Sequence, residues 1–234
     1  MNKKSSITLL YSGVAILCVL ILGMSWFLAN ANSDDETALV NPSAPGRVLS
    51  TIKEGLPIET QSGTQRNLKD LEGKVWLFCQ FFVDCPQCAQ RNFTDLLAIA
   101  NQYKDDPDFR IVCLSVNPEE DSVEQLAKYA ESAKADEAFW WFARADKEKS
   151  YQWVRSQLFF HDIKERTDEA EIASKGRFAH DMAIAVIDKD GQMRGKFDLY
   201  STKFQKPDLY ETWKTEIARR IEVCLEEEVG KTRQ

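Results

Sequence analysis

The chain has 234 residues, a formal net charge of −7 at pH 7, six cysteines and two histidines. Lysine and arginine are scattered among aspartate and glutamate, and they form no clustered basic face of the kind that nucleic-acid binders use. The composition therefore excludes a nucleic-acid partner, and the acidic balance favours solubility.

The N-terminus contains an uncharged apolar segment, residues 7–28, preceded by Lys3 and Lys4 and followed by acidic residues from Asp34. A helix of this length crosses a hydrocarbon core of ~30 Å. The positive-inside bias then leaves residues 1–6 in the cytoplasm and places the rest on the exported, periplasmic side of a single-pass membrane protein. A cleaved signal peptide ending near Ala31 is the competing interpretation, and it also exports the domain.

The remainder of the chain divides by composition. Residues 29–47 are rich in Pro, Asn, Ser and Gly and lack apolar periodicity, which predicts a flexible tether. Residues 48–229 are long enough for one domain with a substantial core, and residues 230–234 form a C-terminal tail.

The most informative stretch is an apolar run from Val75 that ends in the sequence Cys85-Pro86-Gln87-Cys88 and is followed by apolar residues at helical spacing. This pattern predicts a buried strand, a turn and a helix. Proline is favoured at the first helical position, so we expect the helix to begin at Pro86, with Cys85 at its N-terminal edge. The positive end of the helix dipole favours a thiolate there, the form of cysteine that attacks disulfides and binds soft metals.

The elements around this stretch predict the fold. In chain order we expect a hairpin over 56–68, a helical turn over 68–72, a buried strand over 109–116, a helix from 121, an aromatic cluster at 139–142 and a helix over 151–158. A charged excursion or surface helix between 161 and 177, a hairpin over 183–199 and a final helix from 207 follow. We interpret the aromatic cluster as packing at the sheet edge or as a surface for a partner. A βαβ half with a C-x-x-C turn, completed by a hairpin and a helix, indicates a thioredoxin-like α/β fold. Its central mixed sheet is flanked by helices, behind a single N-terminal transmembrane helix.

The other four cysteines, Cys18, Cys79, Cys113 and Cys224, lie in apolar segments far apart in the sequence. Free cysteine behaves as a small buried hydrophobe, so we expect these four to be packing residues.

The second half of the chain offers a third metal-binding residue. His180 precedes the 183–187 strand, and in this fold the loop leading into that strand lies beside the dithiol turn. Two thiolates and an imidazole suit Cu(I) and are acceptable for Cu(II). A lone histidine is often structural, and the spacing leaves both interpretations open. Asp181 is either an acceptor that orients the ring or a turn residue, and His161 is expected at the surface or at a hinge.

Four blocks of the sequence, in order, resemble one family. They are Gly73-Lys74-Val75, the Cys85-Pro86 turn, residues 115–122 (SVNPEEDS), and His180-Asp181 with the following residues 183–191. Together they are similar to the Sco/SenC family of membrane-tethered thioredoxin-fold proteins. The resemblance implies copper binding by Cys85, Cys88 and His180, and delivery of copper to the Cu(A) centre of cytochrome c oxidase. The implied partners are the copper subunit of the oxidase or its other assembly factors.

The chain departs from the family pattern at the cysteines, since the family has three residues between them and this chain has two. Asn117 also stands where the family commonly has Asp. The shorter turn has the spacing of thiol–disulfide oxidoreductases, in which Cys85 would attack a partner disulfide and Cys88 would resolve the mixed disulfide. Copper delivery and thiol redox chemistry therefore both stay open, and they are compatible in one protein.

Two further enzyme classes are disfavoured. A peroxide-reducing enzyme needs a Thr and an Arg beside its cysteine, and Thr94 and Arg91 show no recognisable arrangement. The sequence has no Gly-x-Ser-x-Gly motif, which disfavours a serine hydrolase.

Overall fold

The computed structural model describes residues 17–25, 47–86 and 88–230, with the side chains of residues 88–92 outside the description. The chain divides into two units, 1–44 and 45–234. In the first unit, residues 17–25 are helical and the rest of the predicted 7–28 span lies outside the described residues. No helix within the described ranges is long and apolar enough to cross a membrane.

The second unit is built on an eight-stranded mixed sheet. The eight strands of this sheet are β1 Ser50–Thr51, β2 Pro57–Thr60, β3 Gln65–Asn67, β4 Val75–Phe81, β5 Phe109–Ser115, β6 Trp140–Arg144, β9 Ile184–Ile187 and β10 Gln192–Phe197. Two short strands, β7 Lys164–Glu165 and β8 Phe178–Ala179, form a separate two-stranded ribbon. The order in the sheet is β1-β10-β9-β4-β5-β6-β2-β3. Strands β4, β5 and β6 are parallel, and β9 runs antiparallel to β4. The predicted central mixed sheet is confirmed.

Helices cover both faces of this sheet. They are α1 Cys88–Tyr103, α2 Val123–Ser132, α3 Lys147–Leu158, α4 Glu169–Lys175, α5 Leu199–Gln205 and α6 Pro207–Glu226, with a 3₁₀ helix at Leu68–Leu71. One core cluster contains buried residues of α1, α2 and α6, and the other contains those of α3 and the 3₁₀ helix. All seven residues of β4 are buried. Such a strand reads as a continuous apolar run because both its faces are covered.

Local signals predicted most element positions. Helix α2 begins after Ser122, whose side chain forms a capping box with Gln125. The hairpin β9–β10 turns at Gly191, which has φ of +71°.

The predicted edge or surface location of the aromatic cluster at 139–142 is wrong. It forms most of β6, which lies inside the sheet between β5 and β2. Trp140, Trp141 and Phe142 are all buried, so the cluster is neither an edge nor a docking surface.

Three of the four cysteines predicted to be packing residues are confirmed as free and buried: Cys79, Cys113 and Cys224. The sulfur atoms of Cys79 and Cys113 lie 3.3 Å apart on adjacent strands. The hydrogen bond with Cys113, together with burial, raises the pKa of Cys79, which keeps it a thiol. Cys18 is exposed in the 17–25 helix, so its predicted packing role is wrong.

A buried arginine joins the C-terminal helix to the sheet. Arg194 on β10 is 2% exposed and pairs with Asp188 at 2.8 Å and with Glu227 at 2.7 Å. Asp188 is itself 3% exposed. Removing the cation would leave this carboxylate buried without a counter-charge, which is costly because water cannot solvate it.

We expect Arg194→Ala to lower the free energy of unfolding at pH 7 by about 3–5 kcal/mol, the usual cost of breaking a buried ion pair from one side. Lys128→Ala is the control, since Lys128 pairs with Glu124 on the surface of α2, where both side chains are more than 70% exposed. The control should leave stability essentially unchanged. Urea denaturation of both variants measures this, and equal stability of the two would contradict the expectation.

Candidate functional site

The cysteine turn follows directly from the fully buried strand β4. After β4 ends at Phe81, the backbone N–H of Cys85 donates to the carbonyl of Phe82 at 3.1 Å and closes a turn. Helix α1 begins at Cys88, so the predicted start at Pro86 is wrong by two residues. Cys85 is 3% exposed and is disulfide-bonded, a form in which its sulfur presents no thiolate.

The structure brings His180 to this turn. His180 follows β8, and its ring meets the edge of the Phe82 ring at a centroid distance of 5.8 Å. Its Nδ1 lies 2.9 Å from the backbone carbonyl of Asp181. Because a carbonyl only accepts, Nδ1 carries the proton and Nε2 carries the lone pair in the neutral ring. Burial lowers the pKa of His180 against the opposing influence of Asp181, which favours this neutral form.

Of the two roles considered for the side chain of Asp181, the structure supports that of a turn residue. Its carboxylate accepts from the backbone N–H of Ala183 at 3.0 Å and of His161 at 3.3 Å, so it is the turn residue. The group that orients the His180 ring is the main-chain carbonyl of Asp181. Burial by itself would raise the pKa of Asp181, but the hydrogen bond and charge of Lys196 lower it.

Two residues that support this loop were missed by sequence reasoning. The side-chain oxygen of Gln80 accepts from the backbone N–H of Asp181 at 3.2 Å. Lys196 on β10 pairs with the Asp181 carboxylate at 2.6 Å and donates to the carbonyl of Phe159 at 3.0 Å. A lone amide in an otherwise apolar strand was a usable signal for Gln80, whereas nothing local distinguishes Lys196.

A second buried carboxylate, that of Asp121, holds the start of the loop that contains the cysteine turn. Asp121, 2% exposed, accepts from Ser115 at the end of β5 and from the backbone N–H of Val83 at 3.3 Å. Burial raises the pKa of Asp121 to about 6, although both hydrogen bonds act in the opposite direction. The residue therefore ties the loop between β4 and α1 to the neighbouring strand.

The remaining histidine is a surface residue, as predicted. The side chain of His161 is 86% exposed, and its Nε2 lies 4.0 Å from the Asp181 carboxylate, beyond hydrogen-bonding distance.

The chemistry of the donors fits a soft metal ion. His180 has its ring orientation and tautomer set by a main-chain acceptor, the arrangement common for ligating histidines. Cys85 supplies a thiolate only after its disulfide is reduced. Among the side chains that the structure describes, which exclude Cys88, no three His, Cys, Asp or Glu residues form a group able to hold a metal.

The sheet order and the cysteine turn before α1 define a protein with the thioredoxin-like fold. A family model described as SCO1/SenC matches residues 52–212, which include both cysteines of the turn and His180. The chain therefore belongs to the SCO1/SenC family. A comparison with curated protein sequences finds no match.

Solved structures share this fold. A SCO1/SenC family lipoprotein from Bacillus anthracis is 22% identical, with a TM-score of 0.60 over 75% of this chain and 98% of that chain. BsSco, a member of the Sco family of cytochrome c oxidase assembly proteins in which a disulfide switch was identified, is 18% identical, with a TM-score of 0.56 over 76% of this chain and 97% of its own. Yeast Sco1 with copper bound is 12% identical, with a TM-score of 0.58 over 78% of this chain and 93% of that chain.

We expect Asp121 to make stability fall as the pH rises. Its folded-state pKa of about 6 exceeds the ordinary aspartate value of 3.8, so between these values the folded state holds a proton that the unfolded state has lost. The stabilisation is complete below pH 3.8 and is lost as the pH rises through 6.

Asp121→Asn removes this proton uptake, so the stability of the variant relative to wild type should improve by about 2 kcal/mol between pH 4 and pH 7. Urea denaturation at a series of pH values measures the difference, and a carbon-13 titration of the carboxyl locates its midpoint. A pH-independent difference between the two proteins would contradict the assignment.

Proposed function

We propose that the reduced form of this protein binds copper through Cys85, Cys88 and His180. It then passes the ion to the copper subunit of cytochrome c oxidase or to another assembly factor of that enzyme. Two thiolates and a neutral imidazole favour Cu(I), and Cu(II) is acceptable. Binding releases the thiol protons, and transfer proceeds by exchange of thiolate ligands with the acceptor. Copper is thus a cargo rather than a resident cofactor.

The observation that carries the proposal is the packing of His180 against Phe82, three residues before Cys85, with Nδ1 engaged by a main-chain carbonyl. This contact joins a residue in the loop before β9 to the cysteine turn after β4. Membership of the SCO1/SenC family supports the assignment, as does the presence of copper in the structure of yeast Sco1. We further propose that residues 7–28 anchor the domain on the periplasmic side of the membrane.

The test is a competitive Cu(I) titration of the reduced full chain against a strong chelator. His180→Ala should weaken binding at least tenfold, about 1.4 kcal/mol, because one of three ligands is lost. His161→Ala is the matched control, since it removes the other histidine of the chain, and it should bind as wild type does. Cys85→Ser and Cys88→Ser should abolish tight binding. Equal affinity of all variants would rule out the site.

A second function, thiol–disulfide exchange, is favoured by the disulfide at Cys85. In this reaction the disulfide takes up two electrons and two protons and becomes two thiols, while a partner dithiol becomes a disulfide. The reaction can also run in the other direction, with the copper acceptor as partner when its own cysteines carry a disulfide. The reduced protein then donates two electrons and two protons to that disulfide and becomes a disulfide itself.

The two functions respond differently to His180. We expect His180→Ala to leave the midpoint potential of the Cys85–Cys88 couple within about 30 mV of wild type, because thiol exchange needs no imidazole. Equilibration with glutathione buffers measures the potential. A larger shift, with copper affinity unchanged, would assign His180 to the redox reaction instead of to copper.

A further inference from the structure

The backbone approaches the cysteine turn very closely at Gly176. This glycine follows α4 with φ of +82° and ψ of 165°, a region that side chains rarely adopt. A Cβ atom built on it would lie 2.6 Å from Cζ of Phe82 and 3.1 Å from Cδ of Pro86. Gly176 therefore rests directly on the two residues that bracket the turn before and after Cys85.

The Phe82 ring has little room to move away. It is 1% exposed and makes edge contacts with Phe178 at 5.5 Å and with His180 at 5.8 Å. Interiors are close-packed, so a side chain added at Gly176 would displace either the ring or the backbone of the segment that carries Gly176. Pro86 is a rigid ring and offers no alternative rotamer of comparable reach.

The same segment carries His180. Between Gly176 and His180 lie only Arg177 and β8, whose Phe178 packs on the Phe82 ring. A displacement of Gly176 is therefore passed along a short extended piece of chain to the imidazole. At the Gly176 end of the segment, the Arg166 side chain donates a hydrogen bond to the carbonyl of Gly176 at 2.8 Å.

Contacts on the outside of this segment are weaker. Arg177 pairs with Glu120 at 2.8 Å, but both side chains are about half exposed, at 46% and 55%. Exposed ion pairs add little stability because water competes for both charges. The segment is also held by the pairing of β8 with β7 and by the backbone N–H of Arg166, which donates to the carbonyl of Arg177 at 2.7 Å, whereas its contact with the cysteine turn is made at Gly176.

We propose that Gly176 is a positioning residue, whose missing side chain lets the segment from α4 to His180 seat on the cysteine turn and so sets the place of the imidazole relative to Cys85. The inference rests on the proposed copper site for its functional consequence. Its structural content concerns the metal-free protein and is testable there.

The variants are Gly176→Ala and, as control, Gly73→Ala. Gly73 has φ of +81°, close to that of Gly176, and no atom lies within 4 Å of a Cβ built on it. Phe82→Leu, alone and combined with Gly176→Ala, completes a mutant cycle, because leucine lacks the Cζ and Cε2 atoms that the new Cβ would meet. Backbone strain at position 176 is the same in both backgrounds, so a smaller effect of Gly176→Ala in the Phe82→Leu background separates crowding from strain.

The metal-free readout is the set of histidine ring signals in NMR spectra. The chain has two histidines, and exposed His161 serves as an internal reference. Gly176→Ala should shift the His180 signals, because its ring leaves the Phe82 edge, while Gly73→Ala should shift neither histidine. Unchanged His180 signals in Gly176→Ala would overturn the inference, whatever the protein does with copper.

The functional readout is the Cu(I) titration of the same variants. Gly176→Ala should bind at least tenfold more weakly than Gly73→Ala, and it should cost less affinity in the Phe82→Leu background than in the wild-type background. Wild-type affinity in Gly176→Ala, or an equal loss in both backgrounds, would overturn the positioning role. If wild type and His180→Ala bind copper equally, the proposed function fails, while the NMR comparison still decides the positioning.

Discussion

The proposed site depends on the Phe82 ring, against which three residues of the segment between α4 and β9 pack. Phe82 follows β4, all of whose residues are buried. Gly176, Phe178 and His180 meet that ring from the segment between α4 and β9. The cysteine turn and His180, which are distant in the sequence, are therefore held next to each other by contacts with the same buried ring. A site built this way tolerates few changes of shape, since close-packed interiors transmit displacement.

Buried polar groups supply the orientation that apolar packing lacks. Asp181 is 6% exposed, and its carboxylate is satisfied by Lys196 and by backbone donors. Gln80 holds the backbone N–H of the same residue, which leaves the carbonyl directed at Nδ1 of His180. Burying an ion pair usually gains little stability, because desolvation offsets the attraction. We interpret this network as fixing the loop conformation and the imidazole tautomer rather than as a source of stability.

The state of Cys85 links the two functions considered for the protein. A disulfide presents no thiolate to a metal, whereas two thiolates with an imidazole form a soft-metal donor set. The turn has two residues between its cysteines, the spacing of thiol oxidoreductases, in a chain that belongs to the SCO1/SenC family. Under the proposed function, copper binding requires prior reduction of this disulfide, because the disulfide presents no thiolate to the metal.

Local patterns in the sequence determined the elements with strong signals of their own: the strand at 75–81, the capping box of Ser122 and the turn at Gly191. The pairing of β4 with β5 followed from the βαβ pattern, and the ligand set entered through resemblance to a family. The interior place of β6, the start of α1 at Cys88, and the roles of Gln80, Lys196 and Gly176 required the tertiary structure. Gln80 bonds to a residue 101 positions away, and Gly176 meets a ring from the other half of the chain. Periodicity and capping report on neighbours within one or two turns of chain, whereas these roles arise only when distant segments pack together.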